Sequence, residues 1–143
     1  MEVRPVNSTV LIVDEDVNAR IIAETLLRVR GLEVRCADDT AGVYQIVEHE
    51  DVAVVVLDLS LSGNVGLEVF RRLRSRSGVP RWSREPRVVV VSSRQEPEVE
   101  LFARRLGADA FLRKPLEPGE FISTVEHLAL GAPLRSAGAA RRR

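Results

Sequence analysis

The chain has 143 residues, 45% of them hydrophobic, which is enough for the core of one ordinary globular domain and too little for a second. Basic and acidic residues balance at 21 each, so no net field draws the protein to nucleic acid, and no apolar run reaches the length of a membrane span. The N-terminus MEVRPVNSTV lacks the apolar core of a signal peptide, and the only cysteine, Cys36, has no partner for an internal disulfide, which together favour the cytoplasm.

After an N-terminal arm over residues 1–7, Thr9 to Val13 (TVLIV) is a β-branched, apolar run that predicts a buried first strand, and Asp14, Glu15 and Asp16 follow it at once. Val17, Ile21, Ile22, Leu26 and Val29 then recur at helical spacing, with Asp16 placed to cap this first helix and Gly31 to stop it. Leu32 to Cys36 predicts strand 2. Asp38 or Asp39 caps helix 2, whose inward face includes Val43, Ile46 and Val47. Val52 to Leu57 reads as a strand covered on both faces, and Asp58 ends it. The chain then breaks into Ser60, Ser62, Gly63, Asn64 and Gly66, so Asp58 sits at a strand tip, where open α/β sheets bind their ligands.

Helix 3 begins near Asn64 or Val65 and carries Leu67, Phe70 and Leu73 inward, leaving Arg71, Arg72, Arg74 and Arg76 as a solvated face. The link from Ser77 to Arg87, with Gly78, Pro80 and Pro86, is too broken for an element, and Trp82 within it reads as a ring tucked over the far end of the sheet. Val88 to Val91 is another continuous strand, ending in Ser92 and Ser93. Helix 4 starts at about Pro97, with Val99, Phe102, Ala103 and Leu106 on one face and Gly107 just beyond it. Ala110 to Leu112 makes strand 5, Arg113, Lys114 and Pro115 follow, and Pro118 opens a last helix with Phe121, Val125 and Leu128 facing in. Five alternating strands and helices imply one α/β domain over residues 8–130, doubly wound, with a parallel sheet covered on both faces. Residues 131–143 (GAPLRSAGAARRR) read as a flexible basic tail or a linker.

In a parallel sheet all strand tips lie along one edge, which gathers Asp14 and Glu15, Asp58, Ser92 and Lys114. Neighbouring carboxylates repel by about 4 kcal/mol per pair at close range and moderate dielectric, so either their pKa values rise or a cation binds among them, and a hard divalent metal answers the problem. Oxygen donors with no Cys or His nearby select Mg²⁺ over zinc. Lys114 is the single lysine among 21 basic residues, and a compact ammonium acts as a point charge toward a phosphoryl group in a way that the planar fork of arginine does not.

VLIVDED with Arg20 following, VVVLDLSLSGNVGLEV, VVVVSS and GADAFLRKPLEPGEF, in this order and spacing, resemble a response-regulator receiver domain of two-component signalling. The resemblance implies a flavodoxin-like (βα)5 fold with a five-stranded parallel sheet in the order 2-1-3-4-5. It implies that Asp58 accepts a phosphoryl group, that Asp14 and Glu15 hold Mg²⁺ directly or through water, and that Ser60 lends the metal its backbone carbonyl. Ser92 matches the hydroxyl residue that turns inward on phosphorylation, Phe111 the aromatic switch residue, and Lys114 the lysine that pairs with the phosphoryl group. A cis bond between Lys114 and Pro115 is also implied. The implied partners are a histidine kinase or phosphotransfer protein, a downstream effector or output domain, and a second copy through helix 4, strand 5 and helix 5. Ser62 stands where the family usually has proline, Val65 where a polar residue is common, and Glu15 where Asp is commoner.

Two other readings compete. A phosphatase of the haloacid dehalogenase type shares a D-x-D opening with LIVDEDV, but it leaves Asp58 unexplained and expects an acidic pair after the lysine, where only scattered Glu117, Glu120 and Glu126 occur. A receiver that is never phosphorylated would act purely as a docking module, which Ser62 and Val65 favour and the retention of Asp58, Ser92 and Lys114 opposes.

Overall fold

The apolar runs become strands and the helical repeats become helices in the computed structural model, which describes residues 9–60, 65–75 and 85–130. In chain order these are β1 (Thr9–Val13), α1 (Val17–Arg28), β2 (Glu33–Ala37), α2 (Thr40–His49), β3 (Val52–Asp58), α3 (Val65–Ser75), β4 (Arg87–Ser92), α4 (Pro97–Leu106), β5 (Ala110–Arg113) and α5 (Pro118–Ala129). The arm at 1–7, Ser62 to Asn64, Arg76, Trp82 and the tail at 131–143 lie outside the described residues. All pairings are parallel and the strand order is β2-β1-β3-β4-β5, the doubly wound flavodoxin-like arrangement.

Strand side chains alternate between two apolar layers, as the pleat requires. Val10, Ile12, Val54, Val56, Val89 and Val91 pack with Leu27, Phe121 and Val125 under α1 and α5. Leu11, Val13, Val55, Leu57, Val88 and Val90 pack with Val43, Phe70, Leu73 and Ala103 under α2, α3 and α4. All seven residues of β3 are buried, which explains its unbroken apolar run.

The inward face of α1 differs from the expectation. Ala23 and Leu27 are buried, whereas Val17, Ile21, Ile22 and Val29 are 52%, 52%, 58% and 74% exposed. The helix carries two apolar stripes, and the one containing small Ala23 permits the closer approach to the sheet. Leu27→Ala is therefore expected to cost about 2–5 kcal/mol in urea unfolding, against about 0.5 kcal/mol or less for Ile22→Ser at an exposed position.

Arg74 also departs from the solvated face assigned to it. Arg71 and Arg72 are exposed, with Arg72 4.5 Å over the Tyr44 ring. Arg74 instead donates to the Gly107 carbonyl at 2.6 Å and to Asp109 Oδ2 at 3.3 Å, tying α3 to the end of α4. Gly107 there has φ 105°, the left-handed region that glycine enters without steric cost.

At the open edge, β2 runs Glu33–Ala37 rather than starting at Leu32. Arg28 Nη2 donates to its Val34 carbonyl at 3.0 Å, and Arg35 is paired with Glu50.

Candidate functional site

The register of the sheet assembles the site. Val13 lies opposite Leu57 in the β1–β3 ladder, so the next residues, Asp14 and Asp58, emerge side by side from the two central strands. Both are nearly withdrawn from solvent, at 5% and 8% exposure. Local hydrogen bonds fix each carboxylate. Asp14 Oδ1 accepts from the Asp16 amide at 2.9 Å, and its carbonyl accepts from Arg20 Nη1 at 2.6 Å. Asp58 Oδ1 accepts from the Ser60 amide at 2.9 Å. Gly66 lets the first turn of α3 close onto this tip, since a Cβ there would stand 3.2 Å from the Asp58 carbonyl.

Lys114 follows β5 and reaches over the end of β4. Its amide donates to the Ser92 carbonyl at 2.9 Å, and its bond to Pro115 is cis. The ammonium bridges the two carboxylates, 2.7 Å from Asp14 Oδ2 and 3.1 Å from Asp58 Oδ2. Burial on its own lowers the Lys114 pKa, but the hydrogen bonds and charges of Asp14 and Asp58 outweigh it and hold the ammonium above its ordinary value of 10.5. For a group whose folded pKa is raised, the stabilisation is fully present below the unfolded value and is lost only as pH climbs through the folded one. The bridge is therefore intact across the whole neutral range.

Three of the expected site residues, Asp14, Asp58 and Lys114, are thus in direct contact, and Ser92 stands at the adjoining tip. Glu15 is exposed, and among the described residues no three His, Cys, Asp or Glu side chains group closely enough to hold a metal ion. Ser60 turns its amide to Asp58. Asp16 belongs to the helix: its Oδ1 accepts from the Asn18 and Ala19 amides at 2.9 and 3.4 Å, capping α1. Asp16 thus serves the start of α1, while Lys114 contacts Asp14 and Asp58.

Ser92 is 1% exposed, and its Oγ accepts from the Arg94 amide at 3.0 Å. Phe111 is buried in the α2–α3–α4 layer, with the Arg113 guanidinium 5.1 Å over its ring. Arg113 Nη1 donates to the Arg94 carbonyl at 2.5 Å. The contacts of Arg20 and Arg113 go beyond what the sequence pattern predicts. For Arg113 a signal was present, because residues two apart on a strand share a face, which sets Arg113 beside Phe111.

Comparison with known proteins agrees with this geometry. The family described as the response regulator receiver domain matches residues 10–126. The regulatory protein VirG of Rhizobium rhizogenes is 30% identical over 116 residues, covering 81% of this chain and 46% of VirG, and VirG of Agrobacterium fabrum is 32% identical over 117 residues, covering 81% and 44%. The chain thus spans less than half the length of these curated relatives. A CheY-like receiver domain from Methanospirillum hungatei superposes with a TM-score of 0.72 at 22% identity, covering 86% of this chain and 94% of that one, a likeness of fold. NtrX from Brucella abortus gives a TM-score of 0.73 at 26% identity, covering 85% of this chain and 26% of NtrX.

Proposed function

The chain belongs to the receiver domain family of response regulators, and on that premise we propose that Asp58 takes a phosphoryl group from a phosphohistidine on a kinase or phosphotransfer protein. The observation that carries this reading is the Lys114 ammonium within hydrogen-bonding distance of both Asp14 and Asp58. In the transfer an Asp58 oxygen bonds to phosphorus as the nitrogen–phosphorus bond of the donor breaks, leaving the imidazole as product. Such a transfer requires positioning and neutralisation of charge more than acid or base chemistry. Ser60 and its turn aim the carboxylate outward, and Lys114, already on Asp58 Oδ2, moves onto a phosphoryl oxygen. The Ser92 hydroxyl, one strand away, donates to another.

The donor set fits a hard divalent cation: Asp14, Asp58 and the Ser60 carbonyl offer only oxygen, and exposed Glu15 stands beside them for a water-mediated contact. Mg²⁺ bound there supplies further neutralisation of the incoming phosphoryl charge.

The phosphorylated domain then biases the surface made by α4, β5 and α5 toward a different partner, an output domain, an effector or a second copy. Glu98, Glu100, Arg104, Arg105 and Arg113 give that surface charges of both signs. No helix among the described residues is long and apolar enough to cross a membrane, and a cytoplasmic setting suits a phosphohistidine donor.

Intact mass after incubation with acetyl phosphate tests the reading. The native chain is expected to gain one phosphoryl group when Mg²⁺ is present and none in EDTA, and Asp58→Asn none in either. Gain by Asp58→Asn equal to that of the native chain rejects Asp58 as acceptor, and no gain from acetyl phosphate or from a kinase favours the docking module.

A further inference from the structure

Arg113 occupies a crossing point that the site chemistry does not require. Its side chain projects from the end of β5 on the same face as Phe111, and it makes contacts with three separate parts of the domain. It caps the Phe111 ring at 5.1 Å, donates to the Arg94 carbonyl at 2.5 Å in the segment between β4 and α4, and lies 3.9 Å from Glu100 on α4. The Arg94 contact has a consequence at Ser92. Residue 94 is held at both ends of its backbone, because its carbonyl accepts from Arg113 while its amide donates to Ser92 Oγ at 3.0 Å. A guanidinium bond to a carbonyl is charge-assisted and stronger than a neutral one. Together they form a chain running from Arg113 through the Arg94 peptide to the Ser92 hydroxyl, at the strand tip next to that of Asp58.

We infer that Arg113 is a positioning residue that latches the segment between β4 and α4, holding Ser92 on the Arg94 amide and Phe111 beneath its own guanidinium. This inference rests on the phosphoryl-acceptor reading of Asp58. Because Ser92 Oγ accepts from the Arg94 amide, any shift of the hydroxyl toward a phosphoryl oxygen on Asp58 draws the segment with it. A cleft of about 430 Å³ bordered by Leu59, Ser60, Ser92, Arg94, Val99 and Phe102 gives the segment room to follow. The latched arrangement therefore lowers the population of the state ready for the phosphoryl group, and loosening it raises that population. Lys114 and Asp58 are untouched by the latch, so the chemistry of transfer stays the same while its frequency changes.

The test compares the native chain with Arg113→Ala and Arg113→Lys by two measurements: amide hydrogen exchange without phosphate, and the initial rate of phosphoryl uptake from acetyl phosphate with Mg²⁺. In Arg113→Ala, exchange over residues 93–96 is expected to rise about three- to tenfold while α2 is unchanged, and uptake to accelerate by a similar factor. Arg113→Lys keeps a cation near the Arg94 carbonyl but cannot cap Phe111 at the same time, so it should fall between the two. It also serves as the folded variant if Arg113→Ala melts early. Unchanged exchange over 93–96, or uptake equal to or slower than native, overturns the latch. Should the native chain take no phosphoryl group, the acceptor reading fails, and exchange by itself still decides whether Arg113 holds the segment.

Discussion

Lys114→Ala is expected to destabilise the domain by about 3–5 kcal/mol in metal-free buffer at neutral pH, the cost of removing one partner from a buried ionic group. The ammonium neutralises two carboxylates that are almost fully withdrawn from water, and its loss leaves Asp14 and Asp58 facing each other with only backbone amides on their other oxygens. Chemical denaturation of the native chain and the variant at pH 7 measures the deficit, and the same variant should lose about 100-fold or more in phosphoryl uptake if the ammonium neutralises the transferring group.

Phe70→Ala is expected to cost about 3–5 kcal/mol and Phe102→Ala less than about 1 kcal/mol, although both phenylalanines fall on the apolar repeat of their helices. Phe70 is 1% exposed and belongs to the layer that carries Leu57, Val88 and Val90, directly beneath the strands that end at Asp58 and Ser92. Its removal leaves a cavity that rigid strands on one side cannot close. Phe102 is 47% exposed on α4 and loses little burial when truncated. Urea unfolding of the two variants separates them directly, and a cost above 2 kcal/mol for Phe102→Ala would show that α4 packs more closely than its exposure indicates.

That contrast marks where periodicity stops being informative. Strands β3 and β4 were legible because residues covered on both faces must all be apolar, and the tips were legible because the first polar residue after such a run has nowhere else to lie. Asp14, Asp58, Ser92 and Lys114 followed from those tips and from the parallel order. Helices α1 and α4 were harder. Each has more apolar residues than one stripe needs, and the small residues Ala23 and Ala103 decide which stripe meets the sheet. A pattern that weighs side chains by size selects Ile21, Ile22 and Phe102 instead. Arg74 and Arg113 were hidden for another reason: their partners are backbone carbonyls, at Gly107 and Arg94, and acceptors of that kind have no letter in the sequence. Glu15 illustrates the remaining ambiguity, since three consecutive acids after a strand give no indication of which one the turn will direct to solvent.

The outer edge of β2 bears on how many copies can coexist in a small volume. An open strand offers its amides and carbonyls to any extended chain that drifts alongside, and sheets that join in this way can grow without limit. Here the Asp14 amide takes the Ala37 carbonyl, so by alternation the Val34 carbonyl points away from β1, and Arg28 has claimed it. Arg35 and Glu33 add charge along the same strand, while β5 at the opposite margin is only four residues long. A neighbour must strip an arginine from its acceptor at one margin and finds little length to zip along at the other. Crowding the domain therefore brings together one margin partly occupied by Arg28 and another too short to pair far along its length.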